Sequence, residues 1–321
     1  MSTSQVPVTV LTGYLGAGKT TLLNRILAEQ HGKRYAVIVN EFGEVGIDND
    51  LVVNADEEVF EMNNGCICCT VRGDLVRILD GLMKRKDKFD AILVETTGLA
   101  DPGPVAQTFF VDEDVRSRTK LDAIVTVVDA KNLPARLKDS HEAEEQIAFA
   151  DVILLNKTDL VSAAELAEVE KRICAINPYA KLHKTERSKI ELDQVLGRNA
   201  FDLDRILAVE PDFLHSGHHH HHSDDVTSVS LVSDKPLDAD KFFKWLQHTT
   251  QSQGPDILRL KGILDMKGED QRFVVQGVHM LVEGDRQRLW KPGEKRQSRL
   301  VFIGRNLDRE LLSANFRACE A

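Results

Sequence analysis

The sequence predicts an α/β protein, a doubly wound and mostly parallel sheet followed by a second, smaller α+β domain. Three observations predict it. From residue 6 to about 200, short β-branched runs alternate with longer amphipathic ones, the pattern of right-handed strand–helix–strand units. The apolar runs lack the period-two alternation of a half-solvated strand, as parallel strands covered on both faces do. Residues 215 to 225, "HSGHHHHHSDD", hold no apolar residue and break the rhythm. Domains are therefore expected over 1–210 and 226–321, joined by a His-rich linker over 211–225. At 321 residues the chain is long enough to bury two cores.

In order, strands are predicted at "VPVTVLT", "YAVIVN", "FDAILVE", "LDAIVTVVD" and "ADVILLN". Helical spacing occupies "TTLLNRILAEQ", "DLVRILDGLMKR" and "SAAELAEVEKRICAI". Beyond the linker come a strand "VTSVSLVS", a helix "DADKFFKWLQHTT", one hairpin over "ILRLKGILDMKGEDQRFVVQGVHMLV" turning at "KGED", a strand "SRLVFIG" and a last helix "DRELLSANFRA". Ligands of such a parallel sheet bind at the carboxyl ends of its strands.

Composition narrows the function. Hydrophobic content of 42% with 29% charged residues is that of a folded globular chain, and no apolar run is long enough to span a bilayer. No secretory signal precedes the first strand, so a cytoplasmic location is expected. A net charge of -10 disfavours a nucleic-acid partner. Five cysteines, an odd number with three of them crowded together, fit a ligand cluster better than disulfides.

"GYLGAGKT", Gly13 to Thr20, fits G-x-x-x-x-G-K-[ST] between a predicted strand and a predicted helix, the setting of a phosphate-binding P-loop. Gly13, Gly16 and Gly18 let the backbone around Ala17 curl its N–H groups toward phosphate oxygens. Lys19 supplies a charge for the β and γ phosphates, and the Thr20 hydroxyl can ligate Mg²⁺. Thr21 follows at the helix N-terminus, where the dipole also favours an anion. "NKTD", Asn156 to Asp159, selects the base. The Asp159 carboxylate accepts from N1–H and the exocyclic amine of guanine but opposes a lone pair of adenine, so GTP is preferred over ATP. Lys157 can lie along the purine face, and Asn156 can tie the base loop to the phosphate loop. In "VETTG", Glu95 is placed to hold magnesium through water and the Gly98 N–H to feel the γ phosphate. "NEFGEVGID" adds Glu41, Glu44 and Asp48, one of which touches magnesium or orients the attacking water.

"NGCICC" places Cys66, Cys68 and Cys69 within four positions. Thiolates in such a cluster suit Zn²⁺ and similar ions. Cys66 pairs with Cys68 if the loop is extended or with Cys69 if it turns. The remaining ligands then come from Glu44, a water or a second chain, which admits a homodimer. A redox C-x-x-C pair of Cys66 and Cys69 is the competing reading, without thioredoxin-like context.

"GYLGAGKTTLLNRIL", "NEFGEVGID", "NGCICC", "ETTGLADPGP" and "NKTD", in this order and ahead of a smaller domain, closely resemble the CobW family of metal-handling P-loop GTPases, relatives of UreG and HypB. The resemblance implies GTP hydrolysis coupled to delivery of zinc, cobalt or a related ion. It assigns nucleotide contacts to Gly13 through Thr20 and Asn156 through Asp159, and metal to Cys66, Cys68 and Cys69. His215 and His218, His219, His220, His221 and His222 are six of the eleven histidines. They read as a metal-collecting linker, although a purification tag would have the same letters. The expected protein is a GTP-gated metallochaperone serving a client metalloprotein. A histidine-based metal buffer with nucleotide as a stabilising ligand, and an ordinary P-loop regulatory GTPase or kinase, are the alternatives.

Overall fold

The computed structural model describes residues 5–29, 32–39, 59–61, 70–84, 89–198 and 226–321. They build two compact units, one on each of two sheets. The first sheet comprises β1 (Val6–Thr12), β2 (Tyr35–Val39), β3 (Val59–Glu61), β4 (Ala91–Glu95), β5 (Thr119–Asp129), β6 (Val152–Asn156) and β7 (Lys181–Lys184). Their order is β3-β2-β4-β1-β5-β6-β7 with every described pairing parallel. Helices α1 (Lys19–Ala28), α2 (Thr70–Met83), α3 (Gly103–Val111), α4 (Glu113–Arg118), α5 (Leu133–Asp139), α6 (His141–Phe149) and α7 (Ala163–Ile176) supply the connections.

The sheet's apolar runs become its core. β2, β4 and β6 are buried along their whole length, and α1 buries Lys19, Leu22, Leu23 and Ile26 on one stripe because residues three and four apart share a helix face. Leu22, Leu23 and Ile26 pack with Val37, Leu93, Val125 and Leu154, each such side chain contributing roughly 1.5–3 kcal/mol by leaving water.

Register positions the site. Leu11 pairs with Glu95 on one side and Val125 on the other, Thr12 with Thr126, and Asp129 with Asn156. The carboxyl ends of β1, β4, β5 and β6 therefore meet at one edge, with the phosphate loop leaving from the middle strand.

The sheet holds more than the five runs predict. β7 reads Lys-Leu-His-Lys and is half exposed, so an edge position hides it from a search for apolar runs. Helices α3 to α6 also escape the pattern. α3 is apolar nearly all round, and α5 and α6 are short pieces broken at Ser140.

The second unit comprises β8 (Thr227–Ser233), α8 (Ala239–Gln253), β9 (Ile257–Leu264), β10 (Gln271–Val278), β11 (Leu281–Leu289), β12 (Ser298–Gly304) and α9 (Arg309–Ala318). Its sheet runs β11-β10-β9-β12-β8, all antiparallel. Asp238 and Asp308 cap α8 and α9 by accepting from Lys241 N at 3.0 Å and Leu311 N at 2.9 Å. Phe242, Leu246, Leu312 and Phe316 of those helices pack on Leu231, Leu260, Val275 and Phe302. The single expected hairpin is a three-stranded meander. The chain turns again at His279 and Met280, with His279 at φ 52°, and continues into β11, whose polar edge sequence conceals it. No described helix is long and apolar enough to cross a membrane.

Candidate nucleotide and metal site

The phosphate loop leaves β1 at Gly13 and enters α1 at Lys19. Gly18, at φ 116°, is the residue before the helix. A Cβ there would stand 2.5 Å from Asn156 Nδ2 and 2.9 Å from Ser188 Oγ, so the close approach of two other loops requires glycine. Ala17 is fully buried and its N–H donates to Tyr14 O at 3.1 Å, whereas Gly16 and Thr21 are exposed. Lys19, 9% exposed, donates from Nζ to Gly13 O at 2.8 Å. The ammonium thus lies back along its own loop, where a phosphate oxygen can replace the carbonyl.

Thr20 Oγ1 lies 3.5 Å from Glu95 Oε1, and Glu95 is 7% exposed. Two hard oxygens side by side, one in the first turn of α1 and one at the end of β4, fit Mg²⁺, which prefers oxygen ligands and retains waters. Next to Glu95, Thr96 donates to Thr12 Oγ1 at 2.9 Å and its N–H to Leu11 O at 3.0 Å, fixing the start of the Thr96–Gly98 loop to β1. A Cβ on Gly98 would come within 2.6 Å of Leu15 N. This loop therefore touches the phosphate loop directly. Gln146 of α6, 1% exposed, holds it from the other side by donating to Gly98 O at 3.1 Å and Ala100 O at 3.2 Å.

Asn156 joins three loops. Its Nδ2 donates to Ala17 O at 2.9 Å and to Ser188 Oγ at 3.2 Å, while its Oδ1 accepts from Ser188 N at 2.8 Å and Thr185 Oγ1 at 3.2 Å. Ser188 Oγ in turn donates to Gly18 O at 3.0 Å, and Arg25 of α1 donates to Ser188 O at 2.6 Å. Lys157 has φ 61°, the left-handed region, a conformation costly for a residue with a side chain and concentrated at functional loops. Its Nζ lies 2.7 Å from Asp129 Oδ2, which ties down the head and leaves the methylenes as the part able to face a base. Burial pushes the Asp129 carboxyl up, but hydrogen bonds from Lys157 and Asn132 outweigh it and hold the group below its ordinary range. Asp159 sits exposed in a short 3₁₀ turn over Thr158–Leu160.

Four contributors escape sequence reasoning: Asp129, Gln146, Thr185 and Ser188. The signal for the last two was positional, in the loop after the strand that follows "NKTD". Glu41, Glu44, Asp48, Cys66, Cys68, Cys69, His215 and His218 to His222 lie outside the described residues. Among the described residues no group of three or more His, Cys, Asp or Glu is placed to hold a metal ion.

Residues 7–184 match the family described as CobW/HypB/UreG, nucleotide-binding domain, and residues 226–320 match the cobalamin synthesis protein cobW C-terminal domain. The zinc chaperone YjiA of Escherichia coli is 37% identical over 316 residues, covering 97% of this chain and 98% of that protein. The zinc-regulated GTPase metalloprotein activator 1 of Schizosaccharomyces pombe is 36% identical, covering 95% and 83%. The crystal structure of Zn(II)-bound YjiA GTPase from E. coli aligns with a TM-score of 0.79 at 32% identity, over 99% of this chain and all of that one.

Proposed function

The chain belongs to the CobW/HypB/UreG family, and from that premise we propose a GTP-hydrolysing metallochaperone whose cargo is zinc, delivered to a client metalloprotein. The observation that carries the reading is the Asn156 junction, which locks the base loop to the phosphate loop through Ala17 O and Ser188, within a chain similar throughout to proteins named zinc chaperones. Gly13 to Thr20 cradle the phosphates, with the Lys19 ammonium transferred from Gly13 O to the β and γ oxygens. Asp159 reads guanine, and Asn156 and Lys157 orient it. Thr20 and Glu95 are the residues that would hold Mg²⁺, which when bound would supply charge neutralisation at the phosphates. Cys66, Cys68 and Cys69 carry the cargo ion, with cobalt the next candidate after zinc.

Coupling follows from what Gly98 touches. A γ phosphate drawing on the Gly98 N–H acts on Leu15 at one side and on Gln146 at the other, so the triphosphate and diphosphate forms differ in the loop after β4. A metal site that is complete in only one form releases its ion in the other.

Competitive Zn²⁺ titration of the full chain in Mg-GDP and in a non-hydrolysable Mg-GTP analogue tests this. Zinc affinity should differ at least tenfold between the two forms, and Cys66→Ala with Cys68→Ala and Cys69→Ala should abolish the difference. Equal affinity in both forms refutes the coupling, and retention of the difference without the cysteines refutes their role.

A further inference from the structure

A cavity of about 340 Å³ lies between Tyr14–Leu15 of the phosphate loop, the end of β5, and the facing sides of α5 and α6. Tyr14 and Leu15 are the residues of the phosphate loop that line it, and none of Gly16 to Thr21, Asn156 or Asp159 does, so it adjoins the phosphate cradle without including its residues from Gly16 onward. Its size is that of a ligand-binding recess.

Its walls define the chemistry of an occupant. Val127, Leu133 and Ala143 give it a buried apolar lining. Two of its polar side chains are already engaged. Asp129 is occupied by Lys157 Nζ, Asn132 Nδ2 and the backbone N–H groups of Lys131 and Asn132. The Gln146 amide donates both of its bonds to the Gly98 and Ala100 carbonyls. Arg136 differs. Its guanidinium lies over the Tyr14 ring at 5.3 Å, and among the described residues no carboxylate pairs with it. A planar cation at the rim of an apolar recess is complementary to a carboxylate attached to an apolar group. At the mouth of the recess the apolar surface continues. Leu15 is 60% exposed and Leu99, next to the Gly98 that Leu15 abuts, is 47% exposed. Two exposed leucines beside a charged rim are complementary to a polypeptide that alternates apolar and acidic side chains.

We propose that this recess docks an acidic–apolar segment of a partner protein, one apolar side chain entering the cavity and the adjacent carboxylate pairing with Arg136, and that nucleotide state gates the docking through Gln146. The gating half rests on the nucleotide reading above; the docking half does not. Gln146 forms one wall of the recess and also holds Gly98 O and Ala100 O. Any shift of that loop toward a γ phosphate must either drag the Gln146 side chain or break its bonds, and both change the recess.

The test uses the full chain and two short probes, acetyl-Leu-Asp-Phe-amide and its Asn counterpart, with affinities followed by titration in the nucleotide-free, Mg-GDP and Mg-GTP-analogue states. The acidic probe should bind at least tenfold more tightly than the amide probe. Arg136→Glu should invert the preference toward an acetyl-Leu-Lys-Phe-amide probe, a gain that misfolding does not produce. Equal binding of the acidic and amide probes, or an order unchanged by Arg136→Glu, overturns the docking site. The affinity should differ at least fivefold between the two nucleotide states, and Gln146→Met should remove that difference while keeping the preference for acid. Equal affinity in both states, on protein shown to bind both nucleotides, overturns the gating. Failure to bind nucleotide at all counts against the GTPase reading and leaves the nucleotide-free comparison to decide the docking.

Discussion

Asn156→Ala is the most informative single perturbation of the site, because one side chain that is 1% exposed makes four hydrogen bonds to two other loops. The loss is not four equal parts. The Ser188 hydroxyl keeps its bond to Gly18 O, so losing Asn156 Nδ2 costs it little. The Ser188 N–H belongs to a fully buried residue, and stranding a buried amide costs about 1–3 kcal/mol. The bonds to Ala17 O and Thr185 Oγ1 add about 1 kcal/mol each. The sum is about 3–5 kcal/mol, a large part of the stability of a typical domain. Urea unfolding followed by far-UV circular dichroism should show this loss without a change of slope, and a fluorescent GDP analogue should bind at least tenfold more weakly. A cycle with Ser188→Ala should return a coupling of about 1 kcal/mol or more, since the two side chains share bonds. A destabilisation below about 1 kcal/mol with unchanged GDP affinity refutes the view that Asn156 joins the loops.

Three further outcomes are expected. Asp159→Asn replaces an acceptor of two guanine donors by an amide, so GTP affinity should fall about 100-fold while unfolding is little changed, because the side chain is exposed; nucleotide competition measures it. Gly98→Ala forces a Cβ to within 2.6 Å of Leu15 N, a backbone contact that cannot yield by side-chain rotation, and should weaken the GTP analogue more than GDP in parallel titrations. In the second unit, the hydrogen bond from Arg288 chiefly, with Lys291 N and the Arg288 and Arg272 charges against a burial penalty, holds the Glu294 carboxyl down to about 2. A lowered folded-state pKa means the stabilisation is full above the ordinary value of 4.5 and lost as pH falls toward 2. Glu294→Gln should therefore cost up to about 3 kcal/mol at neutral pH and flatten the acid limb of stability between those two values, read by denaturant titration across pH.

What was legible in the sequence follows from burial. The strands covered on both faces, β1, β2, β4, β5 and β6, print themselves as apolar runs, and the phosphate loop and "NKTD" stand where those runs end. β7 and β11 lie at sheet edges with polar exposed residues, so no run marks them. The candidate site was legible where a motif sets a residue type at a fixed spacing at a strand end, as it does for Lys19 and Asp159. It was not legible where a residue serves another residue. Ser188 and Thr185 matter because they satisfy the Asn156 amide, and Gln146 because it holds two carbonyls; each contact spans roughly thirty residues or more along the chain and exists only once the sheet is assembled.

Those supporting residues also decide whether nucleotide and cargo can sense each other. Binding of both to one chain is not coupling; a ligand moves an equilibrium only by its difference in affinity for the two states. If zinc binds the triphosphate form tenfold more tightly than the diphosphate form, zinc must favour GTP over GDP by the same factor, about 1.4 kcal/mol. That quantity has to be carried by contacts that differ between the forms. The Asn156 side chain bonds Ala17, Thr185 and Ser188 and not the loop after β4, so it should serve affinity for either nucleotide. The Gly98 loop is different. It abuts Leu15 without a side chain of its own and is held by the two Gln146 bonds, whose combined net worth of about 1–3 kcal/mol is of the size that the coupling needs. Gln146→Met should therefore reduce the discrimination of zinc between GTP and GDP forms while leaving GDP affinity nearly intact, the reverse of the pattern expected for Asn156→Ala.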